Sequence, residues 1–391
     1  MHRSIRFLAI VAVLAAVHHR ADAQDWSNSV ALTYSDGLGN TLPYRLFLPP
    51  GHDAPDASFP LVLHLHGSGE RGSNNSSQLA YINGLIEATR TEHPAFLLVP
   101  QAPLNTRWDA FGSPNLSLPS QMTVDLIAQI EQQYAVDTSR RYATGLSLGG
   151  FGTWDLIGKM PSLFSKAFPL SGYGDPSRAN DYLQTPVWTF HGSGDGTVPV
   201  VPKRQTVQAI RDAGGDPLYT EVLGGHGIWT PVYDDPNGEL YDWVFDGVAP
   251  KLVDWQYDPN TGTVRIDARQ APGGVVSIFN LSVNQLDAIN VPANVVIDGV
   301  VTPTTEVLRT SRISVDYNDP EGFDGVMEIP GLLPTGLDFL SLSAITSRQF
   351  YFSPDTGTNR RFFNLTIVEI PEPVGALLAL VGVGAATVRR R

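Results

Sequence analysis

The chain has 391 residues, of which 42% are hydrophobic and 17% are charged, a composition typical of globular domains and not of disordered segments. A net charge of -13, with no lysine- or arginine-rich face, disfavours nucleic-acid binding, because contacts to phosphate need a positive surface. There are no cysteines, so disulfides, thiolate catalysis and cysteine-ligated metals are excluded.

Residues 1–23 are predicted to be a secretory signal peptide. Two arginines precede an apolar run over residues 7–17, and the small-x-small sequence Ala21-Asp22-Ala23 follows, as signal peptidase requires. The alternative is an uncleaved membrane anchor, but roughly 20 apolar residues are needed to span a bilayer and this run is about half as long. We therefore expect export with cleavage near Ala23.

Residues 24–250 are predicted to form an α/β domain with a mostly parallel sheet and helices on both faces. Short apolar runs alternate here with longer amphipathic ones, as crossover connections require. The first two runs flank the turn sequence SDGLGN and predict a hairpin. The predicted strands are 30–34, 42–48, 60–67, 96–100, 141–145, 167–172, 186–192 and 219–225, and the predicted helices lie around 79–92, 123–133, 152–160 and 203–213.

Residues 251–369 are predicted to form a separate, β-sandwich-like domain, because helical periodicity stops and short strand-like runs appear between Gly, Pro and Asn. These runs are TVRIDAR, GVVSIFNLS, NVVIDGVV, SRISVDY, FLSLSAI, RQFYFS and RFFNLTIVEI. The acidic residues of 316–324 offer oxygen ligands for calcium, but their spacing does not fit an EF-hand loop. We expect no metal and no other cofactor.

Residues 370–391 form a distinct tail. Pro371-Glu372-Pro373 precedes an apolar stretch and a terminal cluster of three arginines. A weak tail anchor is one interpretation, since as a helix the stretch rises only roughly 22 Å. The three parts in this order resemble the PEP-CTERM sorting signal of Gram-negative bacteria. That resemblance implies a transient hold in the inner membrane, followed by export to the periplasm, cell envelope or extracellular matrix.

Ser147 is the candidate nucleophile. It lies between Gly145 and Gly149 in the sequence GLSLG, after the predicted strand RYATG and before the predicted helix GGFGTWDLIGKM. A strand, a G-x-S-x-G turn and a helix in this order form the nucleophile elbow of α/β-hydrolases. The alternative, a serine in a surface turn, is disfavoured by these flanking elements.

His226 and Asp195 are the candidate base and acid. A serine hydroxyl needs a base to accept its proton, and His226 follows the last predicted strand of the α/β domain in a glycine-rich loop. Asp195 follows an earlier strand, which gives the chain order Ser, Asp, His of this fold. A turn-forming aspartate is the alternative for Asp195, and Asp175 and Asp181 are less well placed. Other histidines are expected to shape loops, among them His66 and His191.

Two further groups of residues are assigned to the site. The oxyanion is expected to accept from the backbone N–H of Leu148 and from that of Ser68 or Gly69 in the loop after an early strand. In the same loop, Glu70 and Arg71 are expected to pair with each other. Trp108 and Trp229 lie in loops that could overhang the site and line an acyl or sugar pocket. Packing in the protein interior is the alternative for both tryptophans.

Five segments across residues 40–247 resemble successive motifs of secreted esterases often labelled predicted peptidases. They are HLHGSGERGSNN, LLVPQAPLNTRWD, RRYATGLSLGGFGTWDL, TPVWTFHGSGDGTVPV and GGHGIWTPVYDDP. That group is related to feruloyl esterases, polyhydroxybutyrate depolymerases and the prolyl oligopeptidase catalytic domain. The resemblance implies an α/β-hydrolase with Ser147, Asp195 and His226 as its triad. Members usually have an aspartate after the histidine, where this chain has Gly227.

The expected function is that of an exported serine esterase acting on a polysaccharide-linked or related polymer ester. A peptidase with the same triad is the first alternative, although the large propeller of full-length prolyl oligopeptidases is missing from this sequence. A non-catalytic envelope protein is the second alternative. The expected partner is the ester substrate, while the acyl group and the oligomeric state are left open.

Overall fold

The computed structural model of the protein describes residues 29–250 apart from 193, 223, 236 and 237, and then residues 253–257, 260–267 and eight further strands. The predicted signal peptide and C-terminal tail lie outside the described residues. Within the part of the chain that is described, no helix has the length and apolar character needed to cross a bilayer.

Eight strands of the α/β region form a continuous sheet in the order β1-β2-β4-β3-β5-β6-β7-β8. Every neighbouring pair from β4 to β8 is parallel, while β2 runs antiparallel to β1 and to β4. All eight predicted strands and the predicted hairpin are confirmed. Their bounds are β1 Ser29–Ser35, β2 Thr41–Phe47, β3 Phe59–Leu65, β4 Phe96–Pro100, β5 Val136–Leu146, β6 Lys166–Leu170, β7 Trp188–Gly192 and β8 Leu218–Val222.

Helices connect the parallel strands up to β8, and α6 and α7 follow that strand. The bounds are α1 Asn83–Arg90, α2 Leu118–Gln133, α3 Leu148–Lys159, α4 Ala179–Tyr182, α5 Val200–Asp212, α6 Trp229–Tyr233 and α7 Glu239–Tyr241, with a π turn over Asp242–Asp246 and 3-10 turns at Ser68–Glu70, Ser77–Leu79 and Pro176–Arg178. Helix α2 begins earlier than predicted. The Ser117 hydroxyl caps it by accepting from the Ser120 N–H, and Pro119 fits its first turn.

The sheet is buried on both faces because successive side chains of a strand point to opposite sides. In β3, Val62 packs into a core that also holds residues of α1, α6 and α7. Its neighbours Leu61 and Leu63 pack into a second core with residues of α2, α3 and α5. The carboxyl ends of the parallel strands meet at one edge of this layered sheet, so loops that follow them can share a site.

The described residues after Val253 are mostly strands, and they belong to two sheets. The first continues the main sheet in the order β8-β18-β9-β10-β16-β12-β13, with bounds β9 Val253–Tyr257, β10 Val264–Asp267, β12 Asn294–Ile297, β13 Val300–Pro303, β16 Val326–Ile329 and β18 Phe363–Ile367. The second is antiparallel in the order β14-β15-β11-β17, with bounds β11 Val276–Val283, β14 Thr305–Arg309, β15 Arg312–Phe323 and β17 Thr346–Phe352.

Six of the seven predicted C-terminal runs overlap these strands, and FLSLSAI lies outside the described residues. A separate β-sandwich-like domain starting at residue 251 stays a prediction. Residues 316–323 of the acidic cluster belong to β15, while Asp324 lies outside the described residues. Calcium binding there likewise stays a prediction.

Candidate active site

Ser147 occupies a sharp turn between β5 and α3, at the carboxyl edge of the parallel sheet. Its backbone has φ 52° and ψ -115°, a conformation that residues other than glycine rarely adopt. Such strain is held in place by surrounding structure and clusters at functional sites. The flanking glycines make the turn possible, because a Cβ on Gly145 would lie 2.4 Å from the Gly149 carbonyl oxygen and one on Gly149 would lie 1.8 Å from the Leu65 carbonyl oxygen.

Gly149→Ala is expected to lower the free energy of unfolding by about 3 kcal/mol, because the added methyl group would force α3 away from the end of β3. Urea unfolding followed by circular dichroism measures this loss. Gly196→Ala is the matched control, since an added Cβ there meets no atom within 4 Å. If Gly149→Ala were as stable as the unchanged protein, the close packing of Gly149 against the Leu65 carbonyl would be wrong.

The structure brings the three predicted triad residues together. The Ser147 Oγ lies 2.8 Å from the His226 Nε2, and the His226 Nδ1 lies 2.7 Å from the Asp195 Oδ2. The other carboxylate oxygen of Asp195 accepts from the backbone N–H of Thr197 at 2.9 Å and of Val198 at 2.8 Å. The Asp195 carboxylate is buried, whereas the His226 side chain keeps 18% of its surface exposed.

These contacts fix where the protons lie. Burial alone would raise the pKa of Asp195, but hydrogen bonds from His226 and from the Val198 and Thr197 N–H groups outweigh burial and hold that pKa below its usual range. The ionised carboxylate therefore faces a protonated Nδ1, which leaves the His226 Nε2 lone pair directed at the Ser147 hydroxyl. A serine placed in this way can lose its proton to the imidazole as it attacks an acyl carbon.

The predicted oxyanion donors belong to two segments, the start of α3 and the 3-10 turn after β3. Leu148 is the first residue of α3, where backbone N–H groups lack partners within the helix and the helix dipole is positive. Ser68 and Gly69 are exposed residues of the 3-10 turn that follows Gly67. Gly67 itself packs against the nucleophile, since a Cβ on it would lie 3.6 Å from the Ser147 Cβ. An oxyanion hole in this position stays a prediction.

The prediction that Glu70 and Arg71 pair with each other is wrong. The Arg71 guanidinium donates to the carbonyl oxygens of Ser68 at 2.9 Å and of Thr106 at 3.0 Å. The Glu70 carboxylate accepts from its own backbone N–H and from that of Gly67, while burial raises its pKa. A tight turn leaves backbone N–H and carbonyl groups without backbone partners, and here the two side chains form hydrogen bonds with different groups of this kind.

His66 shapes the same loop, as its place at a strand end suggested. Its Nε2 receives the Ala102 N–H at 3.0 Å and must be unprotonated, so its Nδ1 carries the proton and donates to the Gly67 carbonyl at 2.6 Å. Burial lowers the pKa of His66 to about 4, so the ring stays neutral near pH 7. This bond fixes the plane of the peptide group that contains the Ser68 N–H.

Trp108 and Trp229 occupy different environments. Trp108 is fully buried, packs in the second core and donates its Nε1–H to the His66 carbonyl at 3.0 Å. Its predicted place in a substrate pocket is wrong, because the ring supports the loop from inside the protein. Trp229 is half-buried, and its ring lies 5.0 Å from the His226 imidazole at an interplanar angle of 89°. It therefore remains a candidate for substrate contact.

Two residues of the site's surroundings were not predicted from the sequence: Ser171 contacts His226, and Tyr81 contacts Trp229. The buried Ser171, directly after β6, donates its hydroxyl to the His226 carbonyl at 3.1 Å and so fixes the loop that carries the base. Tyr81 places its ring 5.6 Å from that of Trp229. The position of Ser171 at the carboxyl end of a parallel strand was the available signal, whereas nothing in the sequence around Tyr81 pointed to the site.

Among the described residues, His93, Asp242 and Asp246 bring potential metal-ligand atoms within 4.8 Å of one another. His93 comes just before β4 and so lies at the amino-terminal edge of the parallel sheet, opposite to Ser147. This group takes no part in the chemistry described above.

Comparison with known proteins identifies relatives of the α/β region. A bifunctional acetylxylan esterase/xylanase of Neocallimastix patriciarum is 24% identical over 196 residues, which are 50% of this chain and 27% of that protein. A thermostable esterase of known structure is 36% identical with a TM-score of 0.52, over 56% of this chain and 63% of its own. A ferulic acid esterase is 18% identical with a TM-score of 0.46, over 56% of this chain and 97% of its own.

The matched segment thus spans about a quarter of the Neocallimastix patriciarum protein and less than two thirds of the thermostable esterase. The predicted α/β-hydrolase fold is confirmed by the parallel sheet with helices on both faces and by the thermostable esterase. The sequence profile of the Esterase family matches residues 35–237, just over half of the chain. The chain belongs to the Esterase family.

Proposed function

We propose that the protein is a serine hydrolase of carboxylic esters in which Ser147, His226 and Asp195 act as the catalytic triad. The hydrogen-bonded chain from the Ser147 Oγ through His226 to the Asp195 carboxylate supports this proposal most strongly. A nucleophile, a base and an orienting acid within 3 Å of their partners are what acyl transfer to serine requires.

The reaction has two halves. The Ser147 Oγ attacks the acyl carbon while the His226 Nε2 accepts its proton, and the same proton then passes to the leaving alcohol. In the second half, His226 takes a proton from water as the water oxygen attacks the acyl carbon. The bond between that carbon and the Ser147 Oγ then breaks, His226 returns the proton to the Oγ, and the acid is released. Backbone N–H groups of Leu148 and of Ser68 or Gly69 stabilise the oxyanion in both halves.

We further propose that the natural substrate is an ester carried by a polysaccharide. Support comes from the Neocallimastix patriciarum relative, a bifunctional acetylxylan esterase/xylanase. The predicted signal peptide and the PEP-CTERM-like tail would place the enzyme outside the inner membrane of a Gram-negative-type bacterium, where such polymers occur. The β-rich region from residue 251 to 369 would then be a spacer or a binding module.

A substrate panel tests this proposal. The chain is assayed with methyl acetate, methyl ferulate, acetylated xylo-oligosaccharides, a hydroxybutyrate oligomer and a blocked proline peptide. We expect hydrolysis of the esters, with acetylated xylo-oligosaccharides preferred over the hydroxybutyrate oligomer, and no cleavage of the peptide. Cleavage of the peptide alone would overturn the esterase assignment, and preference for the hydroxybutyrate oligomer would overturn the choice of polymer.

A further inference from the structure

Tyr81 and Trp229 form a pair of aromatic rings beside the catalytic base. Their ring centroids lie 5.6 Å apart at an interplanar angle of 54°, and the Trp229 ring stands edge-to-face against the His226 imidazole. Tyr81 lies between the second 3-10 turn and α1, while Trp229 is the first residue of α6. Two loops that are distant in sequence thus place a continuous aromatic surface next to the triad.

The conformation of Tyr81 is not explained by packing. Its φ of 70° lies in the left-handed region, which costs free energy for a bulky side chain. Burial does not repay that cost, because 48% of the residue remains exposed. An exposed aromatic ring held by a strained backbone beside a reaction centre is the pattern of a ligand contact.

The position of the pair indicates which half of the ester it faces. His226 must pass its proton to the leaving alcohol, so the alcohol oxygen lies within hydrogen-bond reach of the Nε2. A surface that extends outward from the His226 ring therefore borders the alcohol half of the substrate. Gly227 lies beside that surface: a Cβ there would be in ordinary van der Waals contact with the Trp229 indole at 3.5 Å, so a longer side chain at this position would extend over the ring.

We propose that Tyr81 and Trp229 form a stacking subsite for the pyranose ring that carries the ester, and that Tyr81 determines specificity for a sugar alcohol. A pyranose ring has a flat face of C–H groups that matches the apolar face of an aromatic ring, whereas a short aliphatic alcohol has no such face. This inference rests on the proposed function and names the residues that recognise the alcohol.

Tyr81→Gly tests the inference, because glycine adopts the same φ without strain and only the ring is lost. Asn105→Gly is the matched control, an exposed residue at φ 62°. We expect Tyr81→Gly to raise KM for acetylated xylotetraose by about tenfold, while kcat/KM for methyl acetate changes by less than about twofold. Asn105→Gly should change neither value.

Three results for Tyr81→Gly would overturn the inference. The first is an equal loss of kcat/KM on acetylated xylotetraose and methyl acetate, and the second is no loss on either. The third is a loss of kcat/KM on methyl ferulate alone, with methyl acetate and acetylated xylotetraose unaffected. The last result would place the ring on the acyl side. A fluorescence titration of the full chain with unesterified xylotetraose gives a readout without hydrolysis, and Tyr81→Gly should weaken that binding. If the unchanged protein cleaves no ester, the proposed function fails, and the titration still decides whether the sugar subsite exists.

Discussion

Ser147→Ala is expected to lower kcat/KM for methyl acetate by about three to six orders of magnitude. The substitution removes the oxygen that forms the acyl-enzyme in the proposed mechanism, and the same neighbours still hold the strained turn. Its unfolding midpoint should stay close to that of the unchanged protein. A pH-stat assay measures the loss, and Ser162→Ala, at an exposed serine in the loop after α3, is the matched control.

A fluorophosphonate probe provides an independent measurement of the same role. The probe should add one phosphonyl group to the unchanged protein and to Ser162→Ala, and none to Ser147→Ala, as peptide mass spectrometry would show. Ester hydrolysis by Ser147→Ala within tenfold of the unchanged rate would mean that Ser147 is not the nucleophile. If neither Ser147→Ala nor the probe changed ester hydrolysis, the interpretation of the domain as a non-catalytic scaffold would gain support.

The strands of the α/β region could be predicted because a buried parallel strand is apolar along its whole length. Each of β3, β4 and β7 is a nearly continuous buried run, and a polar residue follows each of them in the sequence. Chain order then selected Ser147, Asp195 and His226, since parallel strands deliver their following loops to a common edge. The structure brings these three side chains within hydrogen-bond distance, while their catalytic roles stay a prediction.

The loops around the triad could not be predicted in the same way. In the sequence, Trp108 is a tryptophan in a loop. Only tertiary packing shows that its ring is enclosed between α3 and β3. The packing is so close that a Cβ on Gly152 would come within 2.3 Å of the Trp108 Cβ. Glu70 and Arg71 suggest an ion pair because they are adjacent and oppositely charged. Both instead satisfy backbone groups whose need for partners depends on a turn that the sequence does not specify. Tyr81 contacts Trp229, which lies 148 positions later in the chain, and no local pattern encodes that contact.

Asp195→Asn is expected to lower kcat for methyl acetate by about three to four orders of magnitude with little change in KM. The Thr197 and Val198 N–H groups require an oxygen as their common partner, so the asparagine must direct its NH2 group at the His226 Nδ1. An NH2 group donates, which forces Nδ1 to accept and moves the imidazole proton to Nε2. With a proton on that nitrogen, His226 can no longer accept one from Ser147.

Asp175→Asn is the matched control for this prediction, because Asp175 is an alternative acid from the sequence and its carboxylate instead accepts from Ser177. Asp175→Asn should hydrolyse methyl acetate at the rate of the unchanged protein. Asp195→Asn should also react with the fluorophosphonate probe far more slowly, although Ser147 and the backbone around it are intact. A loss of less than tenfold on Asp195→Asn, or an equal loss on Asp175→Asn, would assign the orienting role to a different carboxylate. The contrast between the two asparagine variants therefore separates a misplaced proton from a general loss of charge near the site, which no single substitution can do.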